Sequence, residues 1–242
     1  AVAKLFYAKG YKVGIYDINA VQAKKLASEL GINAKAGLLD VANYENWQKS
    51  LKEFSDWAGE INILVNNAGI LYSGAFENTD IQAHHRTINI NVNGVLNGCH
   101  AAFPYLKNAS FARVINLSSA SAIYGQADLI SYSASKFAVR SITEGLDVEW
   151  EKYGIRVLDV MPLFVQTAMV TDMDAGTIQN MGVNLTPDDV AEQIFKTVTL
   201  KDSIFTATHH TVGLNAEVMF HLSRFSPRFV NRLSNLFLCK KK

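Results

Sequence analysis

Apolar runs alternate with amphipathic stretches along almost the whole chain. Short apolar runs predict strands, and stretches whose apolar residues recur every three or four positions predict helices. The predicted strands are 12–16, 34–39, 61–65, 111–117, 155–160 and 203–208, and the predicted helices are 20–30, 44–57, 79–103, 132–153 and one beginning at 186. Near-continuous apolar strands separated by helices are typical of a parallel sheet covered on both faces. We therefore predict an α/β fold.

Local signals mark where several of these helices begin, end or bend. Gly31 follows the 20–30 helix, and Pro187 stands at the first position of the helix that begins at Thr186. The segment 91–94 places two asparagines and Gly94 inside the long 79–103 helix. A glycine inside a helix costs about 1 kcal/mol against alanine. A local bend or a close backbone approach there would explain it, and the alternative is a polar helix face.

Composition and charge indicate a single domain without an affinity for nucleic acid. The chain has 242 residues, 49% of them hydrophobic and 19% charged, with a net charge of +1. No stretch is apolar over the roughly 18 residues that a membrane span requires. Cys99 and Cys239 have neither disulfide-framework nor metal-binding spacing. We therefore expect one domain over 1–242 in a reducing, cytoplasmic compartment.

Tyr132 and Lys136 are the first pair that suggests chemistry. They lie four residues apart in a predicted helix, so the phenol and the ammonium share one face. A nearby cation lowers the pKa of a phenol and suits it to proton transfer. The alternative is an amphipathic helix with a solvated lysine. The predicted buried stripe of this helix contains Phe137, Ile142, Leu146 and Val148.

A turn of amides and small residues follows the predicted 61–65 strand. It reads Asn66-Asn67-Ala68-Gly69, and ligands of open α/β sheets bind where strands end. The small residues Ala68 and Gly69 let the backbone approach a ligand closely. A simple asparagine-rich turn is the alternative. Ser119 lies just after the predicted 111–117 strand, thirteen residues before Tyr132.

This set of residues resembles the motifs of the short-chain dehydrogenase/reductase family. The resemblance covers essentially the whole chain, and it rests on the amide turn together with Asn91, Ser119, Tyr132 and Lys136. It implies a doubly wound, mostly parallel Rossmann-like sheet with helices on both faces. It also implies hydride transfer between NAD(P) and a small-molecule alcohol or carbonyl substrate. A homodimer or homotetramer is expected as well.

The resemblance also assigns a role to each matching residue. Tyr132 would be the acid/base that exchanges a proton with the substrate oxygen, and Ser119 would hydrogen-bond the same oxygen. Lys136 would lower the pKa of Tyr132 and hold the nicotinamide ribose. Asn91 would hold a water molecule that links Lys136 to solvent as a proton relay.

Asp17 indicates the cofactor, since it ends the first predicted strand. An acidic side chain there bonds the ribose hydroxyls of NAD and repels the 2′-phosphate of NADP. Ile18 follows it, and no arginine or lysine stands beside it. NAD is therefore favoured over NADP. By resemblance, further cofactor contacts fall to Asp40, Val41, Asn67, Ala68, Gly69, Pro162, Val165 and Thr167, with Leu163 in place of the family's glycine.

The beginning of the chain departs from the family pattern. Residues 1–6 resemble the helix that follows the family's first strand and glycine-rich loop. In the family's strand order that strand is central, between the 12–16 and 61–65 strands. A sheet without it would be split there and leave unpaired inner edges. We therefore expect that about twenty residues are missing before Ala1, the length of a strand and a glycine-rich turn.

Other features carry weaker expectations. The histidine pairs 84–85 and 209–210 point in different directions within each pair, so neither predicts a metal site. By resemblance, the segment 163–185 forms a lid over the substrate. Its residues Phe164, Met169, Met173 and Met181, with Ile123, Gln126 and Leu129, suggest a partly apolar pocket. Core packing explains the same residues almost as well.

The tail 215–242 is basic and amphipathic. It carries Arg224, Arg228, Arg232, Lys240, Lys241 and Lys242 against Glu217, a net charge of +5. Three interpretations remain for it: packing on its own domain, contact with a second subunit, and binding to a membrane surface. The sequence favours them in that order.

The leading hypothesis is an NAD-dependent oxidoreductase of secondary alcohols and ketones. A catalytically silent dinucleotide-binding regulatory or scaffold protein of the same fold is the rival hypothesis. Loss of one of the matching positions would favour the rival, and Asn91, Ser119, Tyr132 and Lys136 are all present.

Overall fold

The computed structural model describes residues 1–167, 175–203 and 205–240. Within these ranges the strands are β1 (Val13–Asp17), β2 (Ala34–Leu38), β3 (Ile63–Asn66), β4 (Ala112–Leu117), β5 (Ile155–Pro162) and β6 (His209–Val212). The helices are α1 (Val2–Ala8), α2 (Ala20–Leu30), α3 (Tyr44–Ala58), α4 (Ile81–Ile88), α5 (Gly94–Leu106), α6 (Ile130–Trp150), α7 (Gly176–Met181), α8 (Pro187–Val198), α9 (Leu214–Phe225) and α10 (Arg228–Leu238). This alternation is the predicted α/β pattern.

The strands are parallel, and they form two sheets. β1 pairs with β2, and β3, β4, β5 and β6 follow one another in the second sheet. Within the described residues no hydrogen-bonded ladder joins β1 to β3. The break lies between the two strands where the sequence predicted it. Val13, Ile63 and Val65 on these strands are only partly buried.

Helices cover both faces of the second sheet, which confirms the doubly wound architecture. Side chains of a strand alternate between its two faces. Val114 and Val157 join the cluster under α5 and α6, whereas Ile115, Leu158 and Val160 join the cluster under α1 and α8. All five are at most 1% exposed. β4 and β5 are therefore the centre of the core, and their ends are held firmly.

Several helix boundaries confirm the sequence signals. α2 ends at Gly31, whose φ of 110° suits a residue without a side chain. α8 begins with a capping box: Thr186 Oγ1 accepts from the backbone N–H of Asp189, and the Asp189 carboxylate accepts from the N–H of Thr186. Pro187 occupies the first helical position, where no N–H is needed.

The predicted 79–103 helix is interrupted between α4 and α5. Residues Asn89–Asn93 form a π-helical turn, a feature that is frequent at functional sites. A Cβ at Gly94 would lie 2.8 Å from Cγ2 of Val41. The glycine therefore permits the close approach that the sequence predicted.

Two predictions about secondary structure are wrong. The last strand is β6 at His209–Val212, and no described residue of 203–208 is in a strand. On α6, Phe137 is 40% and Val148 is 75% exposed. Ile142 and Leu146 do pack against the core, but the most buried positions of the helix are Ser133, Ser135, Lys136, Val139, Thr143 and Trp150.

The basic tail folds into α9 and α10, which are separated by Pro227. In the part of the chain that the structure describes, no helix combines the length and the apolar character needed to cross a membrane.

Candidate active site

The predicted catalytic residues lie where β4 and β5 end, beside the first turns of α6. Ser119 follows β4 by two residues, and Tyr132 and Lys136 belong to α6. The pairing of Leu117 with Val160 keeps the two strand ends level. In open α/β sheets this edge is where ligands bind.

Ser119, Tyr132 and Lys136 meet in a largely buried space. The side chain of Ser119, which is 7% exposed, lies beside that of Tyr132 and acts to lower the pKa of the phenol. Lys136 is 6% exposed, and its Nζ lies 5.5 Å from the centroid of the Tyr132 ring. The backbone N–H of Ser121 donates to Ser119 Oγ at 3.1 Å and fixes the hydroxyl. Lys136 Nζ donates to the carbonyl oxygen of Leu117 at 2.7 Å.

Burial dominates the electrostatics of this group. It raises the pKa of Tyr132, although the side chain of Ser119 acts in the opposite direction. The net pKa of Tyr132 is raised because desolvation of the phenolate outweighs the contribution of Ser119, and the role of Lys136 in lowering this pKa stays a prediction. Burial also lowers the pKa of Lys136 to about 8, while the carboxylate of Asp159 raises it.

Buried amides hold the strand ends in position. Asn66 Nδ2 donates to Asn116 Oδ1 at 2.9 Å, and Asn116 Nδ2 donates to Thr143 Oγ1 at 2.9 Å. This chain of hydrogen bonds joins β3, β4 and α6. The first asparagine of the amide turn therefore has a structural role at the floor of the site.

Asn91 lies in the π-helical turn and holds the loop after β3. Its Oδ1 accepts from Ile70 N–H at 2.8 Å, and its Nδ2 donates to Ile70 O at 2.9 Å and to Ser135 Oγ at 3.0 Å. Both amide hydrogens thus have protein partners, so the side chain can hold a water only through Oδ1. A Cβ at Gly69 would lie 3.3 Å from Asn91 Oδ1 and 3.8 Å from Lys136 Nζ. Glycine leaves room there for a bound dinucleotide.

The predicted adenosine-binding residues lie at the ends of β1 and β2. Asp17 is exposed, and its Oδ1 accepts from the N–H of Asn19 at 2.8 Å. Asp40 is partly buried, and its Oδ1 accepts from the N–H of Ala42 at 3.0 Å. Val41 contacts the Gly94 position. Both carboxylates occupy the edge of the sheet where a nucleotide fits, and Asp17 is accessible to a ribose.

The remaining cofactor candidates flank the same edge. Asn67 and Ala68 are exposed after β3. Pro162 ends β5, and Val165 forms a parallel bridge with Leu185. Thr167 Oγ1 donates to the carbonyl oxygen of Val165 at 3.3 Å. The first residues of the segment 163–185, which the family resemblance predicts to be a lid, are therefore held in place.

An apolar cluster joins the predicted lid segment 163–185 to the loop before α6. Its buried members are Leu129, Phe164, Ala175 and Ile178, and Leu71, Met181 and Val183 pack against them. The predicted lid residues Met169 and Met173 lie outside the described residues. Gln126 Oε1 accepts from Ser121 Oγ at 3.3 Å, which connects this loop to Ser119.

A charged cluster beside α6 was not predicted from the sequence. Asp159, on β5, is fully buried, and its Oδ2 lies 2.9 Å from His209 Nδ1. His209 Nε2 lies 2.7 Å from Glu144 Oε1, which also accepts from Arg140 Nε. Burial alone would lower the pKa of His209, but the hydrogen bonds to Asp159 and Glu144 outweigh it and raise this pKa. The signal in the sequence was an acid inside an apolar strand.

Comparisons with known proteins agree with this geometry. The family model described as short chain dehydrogenase matches residues 1–177. A 3-alpha-(or 20-beta)-hydroxysteroid dehydrogenase of Mycobacterium tuberculosis is 35% identical over 162 residues, which are 67% of this chain and 62% of that protein. The crystal structure of a 3-ketoacyl-(acyl-carrier-protein) reductase from Brucella melitensis complexed with NADH has a TM-score of 0.80 at 28% identity, covering 87% of this chain and 90% of that chain.

A second solved structure shows the fold alone. The gluconate 5-dehydrogenase from Burkholderia cenocepacia, in complex with NADP and tartrate, has a TM-score of 0.79 at 24% identity, and the match covers 90% of this chain and 89% of that one. The two solved structures thus hold different dinucleotides. Because the family model matches well over half of the chain, this protein belongs to the short-chain dehydrogenase/reductase family of oxidoreductases.

Proposed function

We propose that the protein is an NAD-dependent oxidoreductase that interconverts a secondary alcohol and its ketone. One observation carries the proposal. The side chains of Ser119 and Tyr132 lie together beside the buried ammonium of Lys136, at the edge of the sheet where ligands bind. When bound, the nicotinamide ring supplies the hydride donor or acceptor.

The residues of this chain then handle the proton and the substrate oxygen. Tyr132 gives a proton to the oxygen during ketone reduction and takes it back during alcohol oxidation. Its raised pKa keeps it in the phenol form at neutral pH, which suits reduction. In oxidation the ammonium of Lys136 stabilises the phenolate and holds the ribose. Ser119 orients the substrate oxygen, and Asn91 holds the relay water through Oδ1.

The choice of NAD rests on Asp17 and Ile18. Asp17 presents an exposed carboxylate at the end of β1, and Ile18 is 70% exposed beside it. A carboxylate binds ribose hydroxyls and repels a 2′-phosphate. The other proposed cofactor contacts are Asp40, Val41, Asn67, Ala68, Gly69, Pro162, Val165 and Thr167. We expect a higher kcat/KM with NADH than with NADPH.

The substrate is a small molecule with a partly apolar framework. The support is the apolar cluster of Leu129, Phe164 and Ile178, which joins the loop directly before α6 to the segment after β5. The similarity to a hydroxysteroid dehydrogenase favours a cyclic secondary alcohol. Turnover of a panel of cyclic, steroid and 3-ketoacyl ketones, measured as the consumption of NADH, separates these substrate classes.

Tyr132→Phe tests the proposal most simply. The variant removes the transferable proton and keeps the ring, so turnover should fall by at least about a hundredfold. Binding of NADH, followed by fluorescence titration, should change little. Retained turnover would remove Tyr132 from the mechanism.

A catalytically silent dinucleotide-binding protein is the second candidate. It predicts NADH binding without turnover of any member of the panel. The buried Ser119–Tyr132–Lys136 group speaks against it, since burying a lysine is costly without a function for its charge.

We further propose one catalytic domain over 1–242, with 215–242 as a basic tail. The proposed location is the cytoplasm, which is supported by the free thiols of Cys99 and Cys239. A homodimer or homotetramer is proposed from the family alone.

A further inference from the structure

The C-terminal helices expose large apolar side chains. Those of α9 are Leu214, Val218, Leu222 and Phe225, and those of α10 are Phe229, Leu233, Leu236 and Phe237. Phe225 is 86% and Phe237 is 77% exposed. Soluble surfaces tolerate single exposed residues of this kind, but a contiguous set marks a binding surface. We call this set the tail stripe.

The spacing of the tail stripe places its members on one side of each helix. In α9 they recur at intervals of four, four and three residues, and in α10 at four, three and one. Such intervals form one face of a helix. The exposed apolar side chains therefore form one face on each helix and are not scattered over its surface.

The opposite side of α10 is already occupied by the rest of the protein. Asn180 Nδ2, on α7, donates to the carbonyl oxygens of Leu238 and Lys240, both at 2.9 Å. Asn235 Nδ2 donates to the carbonyl oxygen of Gly125. These contacts hold the helix with its tail stripe outward. The prediction that the tail packs on its own domain thus describes only one side of α10.

The charge of the tail selects the kind of partner. After Glu217 the remaining 25 residues contain six lysines and arginines and no acid. Arg232, on α10, and Lys240, just after its end, are both exposed. Symmetric pairing of two tails would bring these cations together, since the same patch meets itself at a two-fold axis. A surface that is both apolar and negatively charged fits better.

We propose that the tail stripe docks on an anionic lipid bilayer. The apolar side chains enter the boundary between headgroups and acyl chains, and the cations contact anionic headgroups. The helices lie in the plane of the interface and do not cross it. Because α10 contacts α7 and Gly125, docking brings the bilayer close to α7 and to the loop before α6. The proposal does not depend on the reaction at Tyr132.

Co-sedimentation of the full chain with vesicles tests this proposal. Vesicles of phosphatidylcholine and phosphatidylglycerol in equal parts should bind the protein at low salt, and vesicles of phosphatidylcholine alone should bind it at least about tenfold less. High salt should release it, because salt screens the headgroup charges. Absence of binding to the mixed vesicles would overturn the proposal.

Matched variants connect the binding to the tail stripe. The double variant Phe229→Ser/Phe237→Ser should weaken binding to mixed vesicles at least about tenfold, since both rings would otherwise be buried. Val21→Ser/Ile32→Ser changes equally exposed apolar residues elsewhere and should leave binding unchanged. Equal binding by the two double variants would refute the assignment.

Two further measurements separate the alternatives. Arg232→Glu/Lys240→Glu keeps the apolar side chains and should lose the preference for anionic vesicles. Circular dichroism and thermal unfolding establish that each variant is folded. If sedimentation velocity shows a dimer that the phenylalanine variant disrupts, and the wild type ignores vesicles, the stripe is a subunit interface and the proposal fails.

Discussion

Replacing Lys136 by methionine should stabilise the protein while it abolishes activity. Lys136 is 6% exposed, and burial lowers its pKa from 10.5 to about 8. Keeping the ammonium charged in the folded state at pH 7 therefore costs about 3 kcal/mol, at 1.36 kcal/mol per unit of pKa. Methionine removes the charge and keeps much of the side-chain length.

The variant also loses a hydrogen bond. Lys136 Nζ donates to the carbonyl oxygen of Leu117, and loss of this bond costs about 1 kcal/mol. The net gain in the free energy of unfolding at pH 7 is therefore about 2 kcal/mol. Such a gain would show that the site carries a charge at the expense of stability.

The effect of Lys136→Met on the free energy of unfolding should depend on pH. The pKa of Lys136 is lower in the folded than in the unfolded state, so the folded state releases its proton first as pH rises from about 8 to 10.5. The unfavourable contribution is complete below about pH 8 and fades as pH rises through that window. The stability advantage of Lys136→Met should therefore shrink by about 2 kcal/mol between about pH 7 and about pH 9.5.

Urea unfolding followed by circular dichroism at several pH values measures the advantage directly. Lys24→Met, at an exposed position of α2, is the matched control, and its effect should not vary with pH. An advantage of Lys136→Met that stays constant or grows over this range would refute the reasoning about the buried ammonium.

Three further predictions concern the surroundings of the site. Asp159→Asn removes a carboxylate that raises the pKa of Lys136, so the basic limb of the pH profile of kcat/KM should move to lower pH. Glu144→Gln is the control and should leave this limb in place. Equal shifts in the two variants would contradict the assignment of the limb to Lys136. Asp17→Ser/Ile18→Arg should raise the kcat/KM ratio of NADPH to NADH at least about tenfold, and an unchanged ratio would exclude Asp17 as the selector. Leu158→Ala should lower the free energy of unfolding by about 2 to 5 kcal/mol, whereas Val148→Ala should change it by less than about 0.5; similar losses would contradict the core assignment.

The sequence predicted what depends on local pattern and on motif. The apolar runs located β1 to β5, and the turn chemistry located the C-terminal end of α2 and the start of α8. The motif residues Ser119, Tyr132 and Lys136 were found because their spacing is characteristic. The structure places them together as the sequence indicated.

The sequence failed where distant parts of the chain meet. Asp159 and His209 are fifty residues apart and pair only because β5 and β6 are neighbours. The last strand was predicted too early, at 203–208, where no residue that the structure describes is in a strand. The pKa of Tyr132 depends on burial, which no local pattern reports. The outward direction of the tail stripe depends on contacts of α10 with α7 and Gly125.

Transfer of deuterium shows directly whether the protein moves a hydride from NADH to a carbonyl carbon with Tyr132 as the acid. NADH that carries deuterium at the transferable C4 position is incubated with cyclohexanone and with a 3-ketosteroid, and the products are analysed by mass spectrometry. We expect that the wild-type protein forms an alcohol with one deuterium at the carbinol carbon and that the Tyr132→Phe variant does not. Alcohol formed without the label, or equal labelling by both proteins, would contradict it.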